Sequence, residues 1–596
     1  MTLPSATGLA PLPAHAGGAA LSRQGAQIME RGAAHAHAGR WDQAAAAYRD
    51  ASRLCPRHGP AWLQLGIALT RLGRFQDAVA ALFSALQQDK RCADAYAQLG
   101  NVFQLLKLPE EARESFRNAL AFGRAPVEMM AAIVFTSLEA SHWESLAQDM
   151  ATLDAMVAGG KGHPLPFFCL NLAWTRQQQL AASRAQAGRV FQGIPPLPPR
   201  AARRAPERIH VGYVSSDFHE HATSYLVAEL FERHDQERFA IHAYSYGIDD
   251  RSPMRRRIER AFGTGFVQAR DLSARALAQR IRADAIDVLI DLKGYTLYSR
   301  SDVFGYRAAP IQVNFLGFPG SLGSPHYDYL IGDPIVTPLE HGDGYAECIA
   351  QMPVCYQPND RQRPRPGARD GQRWGLPPDA FVFCCFNANY KITPPVFACW
   401  CRLLLQVEDA VLWLFEANPQ ARRNLTAQAA AMGVAAQRLH WASSVPLDQH
   451  IARIANADLF LDTLPVNAHT TARDALWAGV PLLTVLGDCF AARVAASLVN
   501  AAGLPELVAN DLDDYERIAL ALARDRGRLA LLRQRLERAR DSSALFNGAS
   551  FAADFEDLLW RMMERARAGK PPAALAASAR DPAPIAPARR GAALAA

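Results

Sequence analysis

The stretch AWLQLGIALTRLGRFQDAVAALFSALQQDK, residues 61–90, lies in the middle of a pattern that repeats every 34 residues. Glycine recurs at this interval at Gly32, Gly66 and Gly100. Small residues allow two antiparallel helices to pack closely, and large residues fill the remaining space between them. The alanines and bulky side chains that keep the same interval are Ala44, Ala78 and Ala112, Ala51, Ala85 and Ala119, Tyr48, Leu82 and Phe116, and Trp62 and Tyr96.

A 34-residue period with this arrangement of small and large residues is the signature of the tetratricopeptide repeat. It predicts an all-α superhelix over residues 25–125. Because one repeat cannot bury its apolar face alone, the stack is expected to continue into further structure. Residues 126–200 are therefore interpreted as a helical junction and linker, which ends in the proline-rich stretch PPLPP at 195–199.

Composition excludes several classes of protein. A chain of 596 residues, 50% apolar and 20% charged, is typical of a soluble globular protein with several cores. The net charge of +6 is small, and short arginine clusters without interleaved aromatic residues argue against nucleic-acid binding. No apolar run reaches the roughly 18–20 residues that span a bilayer, so no membrane association is expected.

Both ends of the chain and the cysteines complete this description. Residues 1–24 lack the pattern of a signal peptide and predict a disordered lead, and the alanine-, proline- and arginine-rich residues 569–596 predict a disordered tail. The ten cysteines show no zinc-binding spacing. Reduced thiols in a cytoplasmic protein without a metal are the expectation.

After the linker, short apolar runs alternate with helical segments. Such alternation predicts parallel α/β sheets covered by helices. A polar, proline-rich stretch near 357–378 separates two sets of runs, which predicts two Rossmann-like domains, 201–360 and 361–568, with ligands at the carboxyl ends of strands. The predicted strands are 208–214, 239–246, 286–292, 311–316, 381–386, 411–415, 459–462 and 481–485.

Polar residues in the loops after three of these strands are candidates for chemistry. Asp217 and His221 follow the first strand, where they could serve acid–base catalysis, or where Thr223 could simply cap the next helix. Gly317 permits either close backbone approach to a ligand or a tight turn. Lys391 is placed to neutralise a diphosphate, with an ordinary surface lysine as the alternative.

The strongest candidate is NAHTTARDALWAG, residues 467–479, where a strand leads into a helix beginning near Thr470. Free backbone N–H groups, the hydroxyls of Thr470 and Thr471, and the positive end of the helix together suit a phosphate. Asp474, one turn into the helix, could bind ribose hydroxyls. Capping by the two threonines is the competing interpretation. Walker and G-x-G-x-x-G loops are absent, so a nucleotide diphosphate without a metal cage is favoured.

In this order, the segments resemble those of the O-GlcNAc transferase family, which joins tetratricopeptide repeats to a GT-B glycosyltransferase core. The resemblance covers about residues 208–520 in addition to the repeats. Several motifs in the same order are more specific than any one of them. The matching segments are VGYVSSDF (211–218), APIQVNFLGFPG (309–320), CFNANYK (385–391), HTT (469–471) with Asp474, LWAG (476–479) and RVAAS (493–497).

The resemblance implies transfer of GlcNAc from UDP-GlcNAc to Ser or Thr hydroxyls of proteins that dock through the repeats, with inversion and without a metal or other cofactor. By position, Lys391 would hold the diphosphate and stabilise the leaving group, while Asp217 and His221 would assist proton transfer or place the substrates. The implied substrate-binding residues are His469, Thr470 and Thr471 at the diphosphate, Asp474 at the ribose, His450 and Arg453 at the uridine, Leu316, Gly317 and Pro319 at the sugar, and Thr223.

The chain departs from the family pattern at four positions. Ala222 replaces a proline after the loop histidine, and Ala388 replaces a glutamine near the diphosphate. Leu447 replaces a lysine on the uridine side. A family histidine in the helical junction aligns near Leu165, with His163 two residues away. These replacements bear on donor identity and catalysis more than on the fold.

Other functions fit the same sequence. A SPINDLY-like O-fucosyltransferase using GDP-fucose, or a relative that glucosylates Asn, would keep the fold and change the nucleotide sugar. A scaffold protein would keep the repeats with a vestigial core. The presence of Lys391, both threonines and Asp474 favours an enzyme.

Overall fold

A computed structural model describes residues 21–200 and 208–578. Two compact units divide them: one runs up to Phe168 and includes Asn418–Leu425, and the other contains Cys169–Ala417 and the residues from Thr426 onward. The first 20 residues of the expected disordered lead and the expected tail beyond residue 578 lie outside the described residues.

Consecutive helices of the first unit pack together in pairs, as the 34-residue period predicts. The first helix begins at Arg23, where Ser22 Oγ accepts a hydrogen bond of 3.0 Å from the backbone N–H of Gly25. The helices are α1 Arg23–His37, α2 Trp41–Leu54, α3 Gly59–Arg71, α4 Phe75–Gln88, α5 Ala93–Leu105, α6 Pro109–Ala121, α7 Pro126–Glu139 and α8 Leu146–Ala158.

The repeated glycines lie where the two helices of a pair come closest. A Cβ atom built on each of them would lie less than 3.0 Å from the repeated large residue. The pairs and distances are Gly32–Tyr48 2.7 Å, Gly66–Leu82 2.7 Å and Gly100–Phe116 2.4 Å. Because carbon atoms do not approach so closely, these crossings require glycine. The small-and-large pattern is thereby confirmed as helix packing.

Helix α9 Pro166–Cys169 ends at the boundary between the units, and α10 Arg176–Val190 is the first helix that lies wholly in the second unit. An N-lobe follows, whose sheet is parallel with the strand order β3-β2-β1-β4-β5-β6-β7. Its elements are β1 Ile209–Ser215, α11 Ala222–Arg233, β2 Phe239–Ser245, α12 Pro253–Phe262, β3 Phe266–Gln268, α13 Ala274–Ala283, β4 Val288–Asp291, α14 Asp302–Gly305, β5 Ile311–Asn314, β6 Tyr329–Gly332 and β7 Cys348–Gln351.

The C-lobe sheet is also parallel, in the order β10-β9-β8-β11-β12-β13. Its central strands are buried along their length, as expected for a sheet covered on both faces. The elements that follow one another from Phe381 to the end of the described chain are β8 Phe381–Cys385, α15 Pro394–Gln406, β9 Ala410–Phe415, α16 Pro419–Ala431, β10 Leu439–Ala442, α17 Leu447–Ile454, β11 Leu459–Leu461, α18 Thr470–Trp477, β12 Leu482–Val485, α19 Val494–Ala501, β13 Val508–Ala509, α20 Leu512–Arg524, α21 Arg526–Ser542 and α22 Gly548–Arg567.

All eight predicted strands form, with ends shifted by up to two residues. The strands that the sequence did not indicate are β3, β6, β7, β10 and β13, none longer than four residues. Such short runs carry too little periodicity to separate them from loops. The predicted fold class, a tetratricopeptide array followed by two Rossmann-like domains, is confirmed.

Two contacts at the end of the described chain bear on the expected domain boundaries. Helix α22, assigned to the second domain by the boundary 361–568, packs on the N-lobe, where Glu556 Oε1 lies 2.9 Å from His234 Nδ1. The expected disordered tail begins at 569, yet Leu575 forms a parallel bridge with Ala350 of β7. Edge strands offer free backbone groups, and this segment pairs with them.

Two further observations concern the described residues alone. None of their helices is both long enough and apolar enough to cross a membrane. The ten cysteines, which all fall in the described ranges, are free thiols.

Candidate active site

The predicted site residues collect at the carboxyl ends of strands in both lobes. In the N-lobe, the loop after β1 carries Asp217 and His221. In the C-lobe, the loop after β8 carries Lys391, and the loop after β11 leads into α18. The lobes touch at this level, because Arg473 Nη1 of α18 donates a 2.8 Å hydrogen bond to the carbonyl of Tyr225 on α11. The two sets of loops therefore meet, as expected for ligand-binding α/β domains.

Lys391 lies in the turn that follows β8 and contacts the loop before α18. Its Nζ donates a 2.7 Å hydrogen bond to the carbonyl oxygen of Asn467. Burial lowers the pKa of Lys391 to about 8, against the opposing charge of Asp462. A partly desolvated ammonium of this kind attracts an anion more strongly than an exposed one.

Asp462 organises the loop between β11 and α18. Its Oδ1 accepts a 2.6 Å hydrogen bond from the backbone N–H of Ala468, and its Oδ2 accepts one of 2.7 Å from Thr484 Oγ1. Asn387 Nδ2 donates to Asp462 Oδ1 at 3.2 Å, and Asn387 Oδ1 accepts from Thr471 Oγ1 at 2.5 Å. The loops after β8 and β11 are thus held by one polar network.

Helix α18 begins at Thr470, directly after His469. Thr470 and Thr471 occupy its first two positions, where backbone N–H groups have no partner within the helix. Burial and the neighbouring charge of Lys391 lower the pKa of His469 to about 3, so its ring is neutral at physiological pH. The neutral imidazole of His469, the N-terminus of α18 and the ammonium of Lys391 thus lie together.

Asp474 is buried one turn further along α18, among cations. Arg363 Nη2 donates to its Oδ1 at 2.6 Å, and Arg473 Nη2 donates to the same oxygen at 3.0 Å. Burial alone would raise the pKa of Asp474, but Arg363, Arg473 and His450 outweigh it and bring that pKa to about 2. Its Oδ2 faces His450 Nε2 at 3.7 Å, which leaves that oxygen the more available acceptor.

His450 and Arg453 lie on one face of α17, beside an aromatic ring. Arg453 Nε donates to His450 Nδ1 at 3.2 Å, and the Arg453 guanidinium lies 5.1 Å from the Phe386 ring centre. Phe386 meets His450 edge to face at 5.6 Å. Burial lowers the pKa of His450 to about 4. A rigid, flat and partly polar wall of this kind suits a nucleobase.

In the N-lobe, Asp217 pairs with a lysine that the sequence did not single out. Lys293 Nζ donates to Asp217 Oδ1 at 3.0 Å and to Oδ2 at 2.9 Å. Ser216 Oγ also donates to Oδ1, at 2.7 Å. Burial acts to raise the pKa of Asp217, but the charge of Lys293, followed by that of His221, lowers it overall.

His221 and Thr223 lie at the start of α11. His221 Nδ1 accepts a 3.2 Å hydrogen bond from the backbone N–H of Thr223, and it lies 3.5 Å from Asp217 Oδ2. Thr223 Oγ1 donates to the same carboxylate oxygen at 3.5 Å. Burial lowers the pKa of His221 to about 4. His221 therefore caps α11, and Thr223 donates a hydrogen bond to the carboxylate of Asp217.

The loop after β5 holds Leu316 in the left-handed region, with φ of 68°. Non-glycine residues in this conformation are strained and concentrate at functional sites. At Gly317, a Cβ would lie 2.2 Å from the carbonyl oxygen of Leu292, so close approach of two loops requires this glycine. Pro319 is buried just beyond it.

Sequence reasoning missed three charged residues of this region. Lys293 lies two residues after the apolar strand β4, at the carboxyl end of a parallel strand, which is a signal that could have been used. Arg473 lies within the quoted NAHTTARDALWAG segment, but its partner could not be known. Arg363 lies in the proline-rich stretch between the lobes, where no pattern marks it. Two of its nitrogens, Nε and Nη1, are buried without a hydrogen-bond partner among the described residues.

Within the described part of the chain, no group of three or more His, Cys, Asp or Glu side chains is arranged to hold a metal ion.

Comparison with known proteins identifies related sequences. The sequence pattern of glycosyl transferase family 41 matches residues 195–364 and 368–555, and a tetratricopeptide repeat pattern matches residues 35–102. The chain is 35% identical over 373 residues to the probable UDP-N-acetylglucosamine–peptide N-acetylglucosaminyltransferase SEC of Arabidopsis thaliana, covering 61% of this chain and 38% of that protein.

A second relative is the probable UDP-N-acetylglucosamine–peptide N-acetylglucosaminyltransferase SPINDLY of Eustoma exaltatum, 32% identical over 60% of this chain and 39% of that protein. The chain thus spans about two fifths of the length of these relatives. Among solved structures, a lysine-to-methionine mutant of Thermobaculum terrenum O-GlcNAc transferase aligns with a TM-score of 0.71 and 26% identity, covering 92% of this chain and 100% of that one.

Proposed function

We propose, since this chain belongs to glycosyl transferase family 41, that it transfers GlcNAc from UDP-GlcNAc to Ser or Thr hydroxyls of proteins. The observation that carries the proposal is the position of Lys391 beside the N-terminus of α18. An ammonium and unpartnered backbone N–H groups converge there, which is what a diphosphate leaving group requires. The names of the relatives support UDP-GlcNAc as the donor and peptides as acceptors.

The proposed reaction is a single displacement. The acceptor oxygen forms a bond to the anomeric carbon while the bond from that carbon to the UDP oxygen breaks on the opposite face, so the configuration inverts. The electron pair of the broken bond leaves with UDP, and the acceptor proton passes to a base. Lys391 and the N-terminus of α18 oppose the negative charge that grows on the departing phosphate, which is the largest expected contribution to catalysis.

The same groups support a reaction without a metal ion. Many enzymes that expel a diphosphate leaving group neutralise its charge with a divalent cation. Here Lys391 and the first turn of α18 supply positive charge at that place, and the side chains of Thr470 and Thr471 add hydroxyl donors.

The remaining C-lobe residues are assigned to the nucleoside. Asp474 accepts hydrogen bonds from the ribose hydroxyls through Oδ2, because Oδ1 is already bound by Arg363 and Arg473. His450 and Arg453 lie against the uracil.

The donor sugar and the diphosphate are assigned to other residues. Leu316, Gly317 and Pro319 of the N-lobe contact the sugar, and His469 of the C-lobe lies at the diphosphate. Acceptor proteins are proposed to dock through the tetratricopeptide repeats.

A donor comparison with purified protein tests the proposal. The protein is incubated with a Ser/Thr-rich acceptor protein and UDP-GlcNAc, UDP-glucose or GDP-fucose, and the acceptor is analysed by mass spectrometry. The expected result is addition of N-acetylhexosamine to Ser or Thr from UDP-GlcNAc alone, and its absence in Lys391→Ala. Transfer from another donor would refute the donor assignment, and absence of any transfer would favour a scaffold.

A different nucleotide sugar is the second candidate. The replacements Ala388 and Leu447 favour it, because these side chains lie at positions where the O-GlcNAc transferase family, which the chain resembles, carries a glutamine and a lysine. In that case GDP-fucose or UDP-glucose would be the active donor in the same experiment, and the acceptor residue could be Asn for a glucosyltransferase.

A further inference from the structure

The N-lobe contains a buried ion pair to which the proposed transfer reaction assigns no role. The Lys293 and Asp217 side chains are 3% and 7% exposed. The lysine binds both carboxylate oxygens, at 3.0 and 2.9 Å. Lysine is almost never fully buried unless it is paired, and removing one partner strands the other charge. Each of the two charges therefore depends on the presence of the other.

The fold builds this pair from two neighbouring strands. β1 and β4 are parallel, with Val214 opposite Asp291, so the loops that follow them emerge side by side. Asp291 Oδ1 accepts a 2.8 Å hydrogen bond from the backbone N–H of Lys293, and its Oδ2 accepts one of 2.7 Å from the Tyr327 hydroxyl. The backbone that carries Lys293 is thus fixed independently of Asp217.

The pair lies against the loop assigned to the sugar. A Cβ at Gly317 would lie 2.7 Å from the Cα of Lys293, so the backbones of these two loops are in close contact. On its other side, Asp217 faces the first turn of α11 through His221 Nδ1 and Thr223 Oγ1, both 3.5 Å from Oδ2. The ion pair thus connects the sugar-side loop to the loop that carries His221.

This arrangement is unsuited to a general base. A base must gain a proton in the transition state, and a carboxylate that does so beside a buried ammonium would leave that ammonium without its counter-charge. Asp217 also accepts a 2.7 Å hydrogen bond from Ser216 Oγ, which further favours its charged form. The acceptor proton is therefore better received elsewhere.

We infer that Lys293 is a positioning residue for sugar transfer: by binding both oxygens of Asp217 it makes this carboxylate a fixed anchor for the loop of His221, and not the acceptor of the hydroxyl proton. The inference rests on the proposed function, because it concerns the same site, but it can fail separately.

Other charged or titratable groups surround the pair and must be considered in any pH experiment. His219 and His221 lie on the loop of Asp217 itself, and Asp291 lies on the loop of Lys293. Tyr246, after β2, faces both carboxylates together with Arg300, and burial raises the pKa of this tyrosine far above its ordinary value. Among these neighbours, Lys293 is the cation in direct contact with Asp217.

Four variants test the inference: Lys293→Met, Lys293→Arg, Asp217→Asn and the double variant Lys293→Met/Asp217→Asn. Transfer rates from UDP-GlcNAc are measured from about pH 5 to about pH 9, where carboxylates and imidazoles of shifted pKa titrate. UDP affinity is measured for each variant, because the nucleotide residues of the C-lobe lie outside the pair and report on folding.

The expected results depend on whether a variant leaves the charge of Lys293 or of Asp217 buried without its partner. Lys293→Met should lower kcat at least about tenfold and move the acid limb of its pH profile upward by at least about one unit, because a buried carboxylate without its cation holds its proton. Lys293→Arg should keep the wild-type profile. The double variant should recover at least about tenfold over Asp217→Asn, because no charge is left unpaired.

Two results would overturn the inference: a double variant no more active than Asp217→Asn, as expected if Asp217 is the base, or an unchanged pH profile in Lys293→Met. If Lys293→Met fails to bind UDP, the arginine and double variants decide by the same criteria. A wild-type protein that neither transfers nor hydrolyses any sugar donor refutes the proposed function and this inference together. If the wild-type protein is active, the variants test the inference about Lys293 separately from the proposed function.

Discussion

The ammonium of Lys391 donates a 2.7 Å hydrogen bond to the carbonyl oxygen of Asn467, which lies two residues before His469. The contact ties the loop after β8 to the loop that starts α18. It places the lysine of the predicted diphosphate site against the segment that supplies the backbone donors. A diphosphate that binds here meets both at once, and the lysine has little freedom to lose on binding.

Replacing Lys391 by alanine should abolish transfer while leaving the protein folded. Removal of one preorganised charge-stabilising donor typically costs about 100- to 1000-fold in kcat. Steady-state transfer from UDP-GlcNAc measures the loss, and circular dichroism measures folding. Lys570→Ala, at an exposed lysine of the same unit, is the matched control and should retain full activity. Comparable activity in both variants would remove Lys391 from the mechanism.

UDP affinity should fall as the pH rises through about 8. Burial lowers the pKa of Lys391 to about 8, and only the protonated form attracts the diphosphate. The favourable charge is therefore present below this pH and is lost above it, by up to about tenfold in affinity per unit. Calorimetric titration with UDP at several pH values tests this, and the dependence should vanish in Lys391→Met. His469, with a pKa of about 3, remains neutral throughout.

Asp474→Asn should weaken UDP binding by about 10- to 100-fold, because a charged acceptor is lost and two arginines remain without their counter-charge. Arg363 and Arg473 both bind Asp474 Oδ1 in the folded protein. The variant should therefore also unfold at lower temperature. Asp379→Asn, at an exposed site, is the control. An unchanged dissociation constant for UDP would contradict the ribose assignment.

Helix packing predicts opposite effects at two helical glycines, one in the repeats and one outside them. Gly100→Ala places a Cβ 2.4 Å from the Phe116 ring and should destabilise the first unit by about 1–3 kcal/mol. Gly188→Ala in α10 meets no atom within 4 Å, and should be neutral or stabilising by up to about 1 kcal/mol. Urea unfolding compares them. Added to Gly100→Ala, the substitution Phe116→Leu should restore part of the lost stability. Equal changes in the free energy of unfolding for Gly100→Ala and Gly188→Ala would contradict this account.

Donor binding should survive removal of divalent cations. In the proposed mechanism Lys391 and the N-terminus of α18 supply the positive charge for the diphosphate, so excess EDTA should change neither UDP affinity nor transfer rate by more than about twofold. Activity that requires added Mg²⁺ or Mn²⁺ would show that the leaving group is neutralised in another way.

Much of the architecture follows from local patterns. The pairing of Gly100 with Phe116 was predictable because both keep the 34-residue interval and the packing of a helical hairpin repeats with it. The position of Lys391 in the loop after β8 was predictable because an apolar run of strand type ends a few residues before it. Neither required knowledge of distant residues.

The sequence by itself determined the repeat array, the two-lobed α/β core and the loops that carry the candidate residues, since these depend on periodicities within a few tens of residues. Only the tertiary structure decided which charges meet: Lys293 with Asp217 across 76 positions of sequence, and Arg363 with Asp474 across 111. The return of α22 to the N-lobe is of the same kind. A buried charge is tolerated only where a partner arrives in space, and the identity of that partner is set by strand order and lobe contact, which no local pattern records.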